Sequence, residues 1–236
     1  MSDIDFFIEI LDNNNIQYNQ DMLDKLERYY SYLIEYNQNV NLTTITQKND
    51  VYLKHFADSL LGLRYIKPND SVCDIGTGAG FPGVVLKIFM PGIKLFLVDS
   101  LQKRVTFLQN LVKLLQLDNV TIIHARAEDS SFKKIYLNSF DCVVARAVAQ
   151  MPTLCEYCLP FVEPNGIFIA YKSTNSGDEV ESGKKAIESL GGKLEKIDNI
   201  QLADGICRDL IIIKKVKKSS SLYPRGQNKP RLKPII

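Results

Sequence analysis

Between residues 74 and 83 the chain reads Asp-Ile-Gly-Thr-Gly-Ala-Gly-Phe-Pro-Gly. The run follows an apolar, β-branched stretch from Val72 and precedes the apolar Val84 to Phe89. Glycines at this density let the backbone turn sharply and come close to a ligand, where a Cβ would stand in the way. Pro82 suits the first turn of a following helix, where its missing N–H costs nothing. A strand, a glycine loop and a helix in that order open a βαβ unit.

The rest of the chain continues that pattern. Short strands are predicted at Val72 to Ile75, Leu95 to Val98, Val120 to Ile123, Asp141 to Val144, Gly166 to Ala170, Lys193 to Ile200 and Cys207 to Lys214, the last two as an antiparallel pair. Helices are predicted at 83–89, 101–116, 151–161 and 178–190, the last stopped by Gly191-Gly192. Ahead of them lie three amphipathic segments: 3–11 (Ile4, Phe7, Ile8, Leu11), 19–36 with Asn19 or Asp21 as cap and Met22, Leu26, Tyr29, Tyr30 and Leu33 on one stripe, and 50–63 carrying His55, Asp58 and Ser59. The expected architecture is an α/β doubly wound sheet over 66–216, with a helical cap at 1–65 and a basic tail at 217–236.

Gly78 to Gly83 satisfies the dinucleotide pattern G-x-G-x-x-G, so the loop alone leaves the cofactor open between a nicotinamide nucleotide and S-adenosylmethionine. Asp99, 21 residues beyond Gly78 at the end of the next strand, suits the ribose hydroxyls of either. Asp74, before the first glycine, would attract a sulfonium or ammonium and repel a pyrophosphate, unless it is only a strand-end surface carboxylate. Ala127-Glu128-Asp129 puts acids where an adenine edge is expected. The balance favours S-adenosylmethionine.

Charge is distributed unevenly. Residues 214–236 hold eight cations (Lys214, Lys215, Lys217, Lys218, Arg225, Lys229, Arg231, Lys233) and no acid, so the net +2 leaves residues 1–213 at about −6. Such a tail reads either as a polyanion contact or as a solvated extension. The five cysteines are an odd number among apolar neighbours, as reduced core thiols are; Cys155-x-x-Cys158 has no second pair or histidine cluster beside it, and no metal is expected. With neither a signal-peptide pattern nor a long apolar run, a cytoplasmic protein without membrane contact is expected.

Longer motifs are more specific. Asn41-Leu42-Thr43, His55-Phe56-Ala57-Asp58-Ser59-Leu60, the loop with its Phe81-Pro82-Gly83 continuation, Asp99-Ser100 with Lys103-Arg104 and Phe107-Leu108, Ala145-Arg146-Ala147, Tyr171-Lys172, and Tyr223-Pro224-Arg225 with Lys229-Pro230 together resemble the small-subunit ribosomal RNA guanine-N7 methyltransferase family RsmG, or glucose-inhibited division protein B. Ser173 departs from the glycine often found after that lysine. The resemblance implies a class I, Rossmann-like S-adenosylmethionine-dependent methyltransferase acting on 16S rRNA in the small subunit or its assembly intermediate, and a monomer is expected. It places cofactor contacts at Gly76, Phe81, Ala127, Glu128 and Arg146. Asp74 and Asp99 join them on physical grounds, and Gly78 with the loop.

Guanine N7 has an in-plane lone pair and no proton, so no general base is expected; the protein's task is alignment. Four residues are positioning candidates, each with a plainer reading. Arg146 orients guanine or cofactor, or pairs with Glu128 or Asp129. Lys172 meets a phosphate or base edge, or is a solvated strand-end lysine. His55 bonds RNA or caps the pocket, or is structural. Asn41 bonds a base, or ends the long helix. Paired guanine hides N7 in a narrow groove, so the target base should be looped or flipped. Deleting residues 217–236 is expected to weaken RNA binding more than cofactor binding. Methylation of another RNA or a small molecule, a nicotinamide enzyme, and a non-catalytic RNA-binding assembly factor remain as alternatives.

Overall fold

The computed structural model describes residues 3–203 and 205–236, with side chains from residue 5 onward. Ile4, expected on the first helical stripe, has its side chain outside the described residues. A seven-stranded sheet has the order β3-β2-β1-β4-β5-β7-β6. Its strands are β1 (Ser71–Ile75), β2 (Lys94–Asp99), β3 (Val120–His124), β4 (Phe140–Arg146), β5 (Val162–Ser173), β6 (Gly192–Ala203) and β7 (Ile206–Lys215). β1 to β5 run parallel, while β7 is antiparallel to both β5 and β6. All seven predicted strands and the terminal antiparallel pair are present.

Side chains alternate across the strands, as a period of two requires. Val72, Leu95, Leu97, Cys142, Val144, Ile169 and Leu210 face one apolar cluster; Cys73, Ile75, Val98, Val143, Ala145, Phe168 and Ile211 face the other. The first face is covered by α5 (Gly83–Phe89), α6 (Gln102–Leu114) and the N-terminal helices α1 (Asp3–Asn13) and α2 (Gln20–Asn37). The second is covered by α7 (Ser130–Tyr136), α8 (Met151–Cys158) and the pair α9 (Gly177–Ser182) and α10 (Lys184–Ser189). α7 was not anticipated. The helix expected over 178–190 is broken at Gly183, where a Cβ would lie 2.9 Å from that of Met151.

Asn19 caps α2 by accepting the Met22 N–H, as its sequence position suggested. The buried stripe is Leu23, Leu26, Tyr29 and Leu33; Met22 and Tyr30 lie at its margin. Tyr29 is fully buried, stacks on Phe81 with centroids 5.2 Å apart, and donates its hydroxyl to the Ala79 carbonyl. The cap therefore shares the core of the sheet and rests on the glycine loop. Burying each such large side chain contributes about 1.5–3 kcal/mol.

Residues 48–65 form one continuous helical run with changing pitch: α3 (Lys48–Val51), a π-helical stretch over Tyr52–Ala57, α4 (Asp58–Leu60) and a 3-10 turn over Leu61–Tyr65. A π stretch carries more residues per turn and is frequent at functional sites. Here it sends Tyr52 and Phe56 into the core and brings Lys54, His55 and the following Asp58 to the edge of a cavity.

The C-terminal segment packs against the body and is not a solvated extension. Pro230, in the short α11 (Lys229–Leu232), is buried, and Glu156 of α8, fully buried, takes three hydrogen bonds from Arg225. The five cysteines are free thiols, four of them buried, and burial raises those of Cys73, Cys142, Cys155 and Cys158. Among the described residues no helix is long and apolar enough to cross a membrane.

Candidate cofactor and substrate cleft

A cavity of about 1250 Å³ opens at the carboxyl ends of β1 to β5, where the strand order reverses between β1 and β4. Ligands of open α/β sheets bind at this position, because adjacent loops diverge there. Gly76 and Asp99 line it from β1 and β2, Ala127 and Glu128 from the segment after β3, Arg146 and Lys172 from β4 and β5, and His55 from the cap. Asp74, Gly78, Phe81 and Asn41 stand outside the lining.

Gly76, Gly78 and Gly80 all have positive φ, at 72°, 62° and 99°. At Gly76 a Cβ would also come within 2.8 Å of Val148 Cγ2, on the cavity wall. Asp74 sits under this loop and holds it: Oδ2 accepts from Thr77 Oγ1 at 2.7 Å and from the Gly83 N–H at 2.8 Å. It is wholly buried, which corrects the surface-carboxylate alternative, and burial pushes its carboxyl up to about 6 against those two hydrogen bonds. Its Oδ1 has no hydrogen-bond partner among the described residues. Gly78 acts on Asp99, donating its N–H to Oδ2 at 2.9 Å.

Arg146 binds the cap. Nη1 donates to Asp58 Oδ2 at 2.5 Å and reaches the Lys54 and His55 carbonyls, while the guanidinium lies 5.2 Å from the Phe81 ring centre. The alternative pairing with Glu128 or Asp129 is not formed: Asp58, closer on the cap, takes the guanidinium. The next residue, Ala147, has φ 56°, a left-handed conformation that costs a non-glycine residue about 1–3 kcal/mol and collects at functional sites. Lys172 is held by Glu179 Oε1 at 2.5 Å and the Ala149 carbonyl at 2.8 Å, so it is not a solvated lysine.

His55 lies between Arg146 and Thr43, with Nδ1 3.3 Å from Arg146 Nη2 and Nε2 2.9 Å from Thr43 Oγ1. A guanidinium only donates, so Nδ1 accepts and Nε2 carries the hydrogen given to Thr43. Burial, and then the Arg146 charge, lower the imidazole to about 3, which keeps it neutral. Asn41 is exposed on the preceding loop. The asparagine that organises this loop is Asn37, which accepts the N–H groups of Leu42 and Thr43 and donates to the Thr43 carbonyl. Sequence reasoning missed Asn37 and also Arg208, whose Nε donates to Asp58 Oδ1 at 2.7 Å.

Glu128 and Asp99, both in the cavity lining, keep spare acceptor capacity. Glu128 Oε2 is buried without a hydrogen-bond partner among the described residues. Among the described residues Asp99 Oδ1 accepts only from the Leu101 N–H, leaving a lone pair for a hydroxyl. With the bare backbone of Gly76, this set fits the hydroxyl and amine donors of the adenosine part of S-adenosylmethionine.

Known proteins resemble the chain in sequence and in fold. The family profile described as GidB, rRNA small subunit methyltransferase G, matches residues 22–210. The ribosomal RNA small subunit methyltransferase G of Lactobacillus helveticus is 47% identical over 234 residues, covering 97% of this chain and 98% of that protein. The Bacillus subtilis protein of the same name is 43% identical over 235 residues, covering 98% of each. Among solved structures, the precorrin-6y C5,15-methyltransferase of Geobacter metallireducens has a TM-score of 0.51 at 17% identity, covering 75% of this chain and 92% of that one. M. jannaschii TYW2 in complex with AdoMet has a TM-score of 0.52 at 19% identity, covering 64% and 71%. These last two share the methyltransferase fold. At more than 40% identity over nearly its full length, and with the profile matched over most of it, the chain belongs to the GidB family of rRNA small subunit methyltransferase G proteins.

Proposed function

We propose that this cleft binds S-adenosylmethionine and transfers its methyl group to N7 of a guanine in 16S ribosomal RNA of the small subunit. The observation that carries the reading is that Gly76, Asp99 and Glu128 line one cavity at the strand-order reversal, in a chain of this family. When bound, S-adenosylmethionine supplies an electrophilic methyl on a sulfonium.

The chain's own residues then have two tasks. Gly76, Asp99, Ala127 and Glu128 form the wall for the adenosine part. His55, Arg146 and Lys172 line the region between the cap and β5, where a guanine would enter. N7 needs no proton removed, so the rate depends on holding it about 3–3.5 Å from the methyl carbon, in line with the departing sulfur. Six cationic side chains and four acids line the cavity, a balance suited to a polyanionic substrate. A splayed guanine fits the cleft, since N7 is out of reach within a paired RNA helix.

The test is to incubate the protein with labelled S-adenosylmethionine and small subunits lacking the native modification, then map the methyl group in digested RNA. Label on N7 of one guanine is expected. Cofactor binding without label on the 16S RNA would move the substrate to another RNA or a small molecule. No cofactor binding would favour a non-catalytic RNA-binding factor.

A further inference from the structure

Glu128, whose Oε2 is buried without a described partner, is held at its other oxygen by the far end of the chain. Its Oε1 accepts the backbone N–H of Asn228 at 3.1 Å, and its side chain is only 9% exposed. Among the described residues the cation paired with it, Arg126, is 3.7 Å away and 63% exposed, a weak and solvent-screened partner. Asn228 has φ 57° and starts α11, so its N–H points at Glu128 only while the backbone holds that left-handed turn.

The turn is held by contacts that the basic composition of the segment does not suggest. Arg225 gives Glu156 Oε1 its backbone N–H and Nε, both at 2.8 Å, gives Oε2 its Nη2 at 2.6 Å, and reaches on to the Lys233 carbonyl. Thr153 Oγ1, on α8, donates to the Pro230 carbonyl at 2.9 Å. Arg225 is therefore committed to a buried carboxylate and is not free to meet a phosphate. Asn228, Arg231 and Pro234 form part of the cavity wall.

We infer that the C-terminal segment is a structural wall of the cofactor site, in which Arg225 and Asn228 are positioning residues that hold the Glu128 carboxylate in that wall. This rests on the reading of the cleft as an S-adenosylmethionine site. It differs from the role that composition suggests for the tail, because cofactor affinity and not only RNA affinity depends on the segment.

The experiment measures S-adenosylmethionine binding by titration calorimetry, without RNA, for wild type, Arg225→Ala, Arg225→Lys, Glu128→Gln and the Arg225→Ala/Glu128→Gln pair, with circular dichroism to confirm folding. Arg225→Ala is expected to weaken binding about tenfold, the scale on which a ligating group loses affinity when the residue orienting it is removed. Arg225→Lys should recover part of that loss. In the Glu128→Gln background the Arg225→Ala loss should largely vanish, because both changes act through one carboxylate. Unchanged affinity in folded Arg225→Ala, or fully additive losses, would overturn the inference. Because Arg225→Ala strands Glu156 and can unfold the protein, hydrogen exchange of the wild type gives a second readout. Added S-adenosylmethionine should slow exchange at Asn228 and its neighbours, and no change there would also overturn the inference. Wild type that does not bind S-adenosylmethionine would refute the underlying reading and this inference together, a result distinct from failure of the inference alone.

Discussion

Arg146 Nη1, at the end of β4, lies 2.5 Å from Asp58 Oδ2 on the N-terminal cap. The other oxygen of Asp58 receives Arg208 Nε from β7, so one carboxylate ties the cap to two strands at the mouth of the cavity. Asp58 is 3% exposed. A buried carboxylate bridging two arginines cannot be removed without leaving positive charge unpaired.

Asp58→Ala is therefore expected to destabilise the fold by about 3–5 kcal/mol, the usual cost of removing one member of a buried ion pair. Asp58→Asn, which keeps the shape and some hydrogen bonding, should cost less. Urea unfolding of the two variants checks the order; equal stabilities would mean that the pairing contributes little.

Gly62 shows how closely the cap meets the sheet. A Cβ there would lie 2.0 Å from the Tyr171 hydroxyl and 3.0 Å from its Cζ. Tyr171 cannot withdraw easily, since it is buried and its hydroxyl donates to the Ser59 carbonyl at 2.9 Å. Gly62→Ala should lower the melting temperature by several degrees, an overpacking cost of about 1–3 kcal/mol. Adding Tyr171→Phe removes the closest atom, so the double variant should melt above Gly62→Ala alone. If it melts lower, the clash is not the cause.

Two groups near the cleft impose opposite pH dependences. Asp74 has its carboxyl raised from 3.8 to about 6 by burial. Over that interval the folded state binds more protons than the unfolded chain, so this contribution is complete below 3.8 and is lost as pH rises through about 6. His55 is lowered from 6.5 to about 3, so its contribution is complete above 6.5 and is lost as pH falls toward 3. Melting curves of Asp74→Asn and His55→Phe against pH separate the two. Relative to wild type, Asp74→Asn should look best at neutral pH and lose that advantage toward pH 4. His55→Phe should gain on wild type as the solution is acidified. A parallel pH response of variant and wild type would contradict either assignment.

Much of this could be read from local pattern. The strands carry their own period of two, Asn19 caps α2, and Gly76, Gly78 and Gly80 mark a loop whose positive φ angles favour glycine. Gly76, Asp99, Ala127, Glu128, Arg146, Lys172 and His55 do come to one cavity. What stayed hidden depends on contacts distant in sequence. Asp58 and Arg208 are 150 residues apart, and Asn228 meets Glu128 across 100. The π stretch at 52–57 turns His55 toward the cavity by a change of pitch that apolar periodicity cannot distinguish from an ordinary helix. Both readings of the tail, a polyanion contact or a solvated extension, follow from charges visible in the sequence, whereas the buried Glu156 that takes Arg225 is not visible there.

The chemistry gives a last expectation. Guanine N7 needs no base, and the imidazole that lines the cleft, that of His55, is neutral, with its Nδ1 facing a guanidinium and its Nε2 hydrogen given to Thr43. His55 can therefore orient neighbours but has no proton to accept in a methyl transfer. The kcat/KM of the methyl transfer should be flat above about pH 6.5, since no essential base gains or loses a proton there. His55→Gln should reduce kcat by about 10- to 100-fold through misplacement of the reacting groups, without introducing pH dependence. A rising limb near neutrality that disappears in His55→Gln would instead make His55 a base, and the view of the cleft as an aligning device would fail with it.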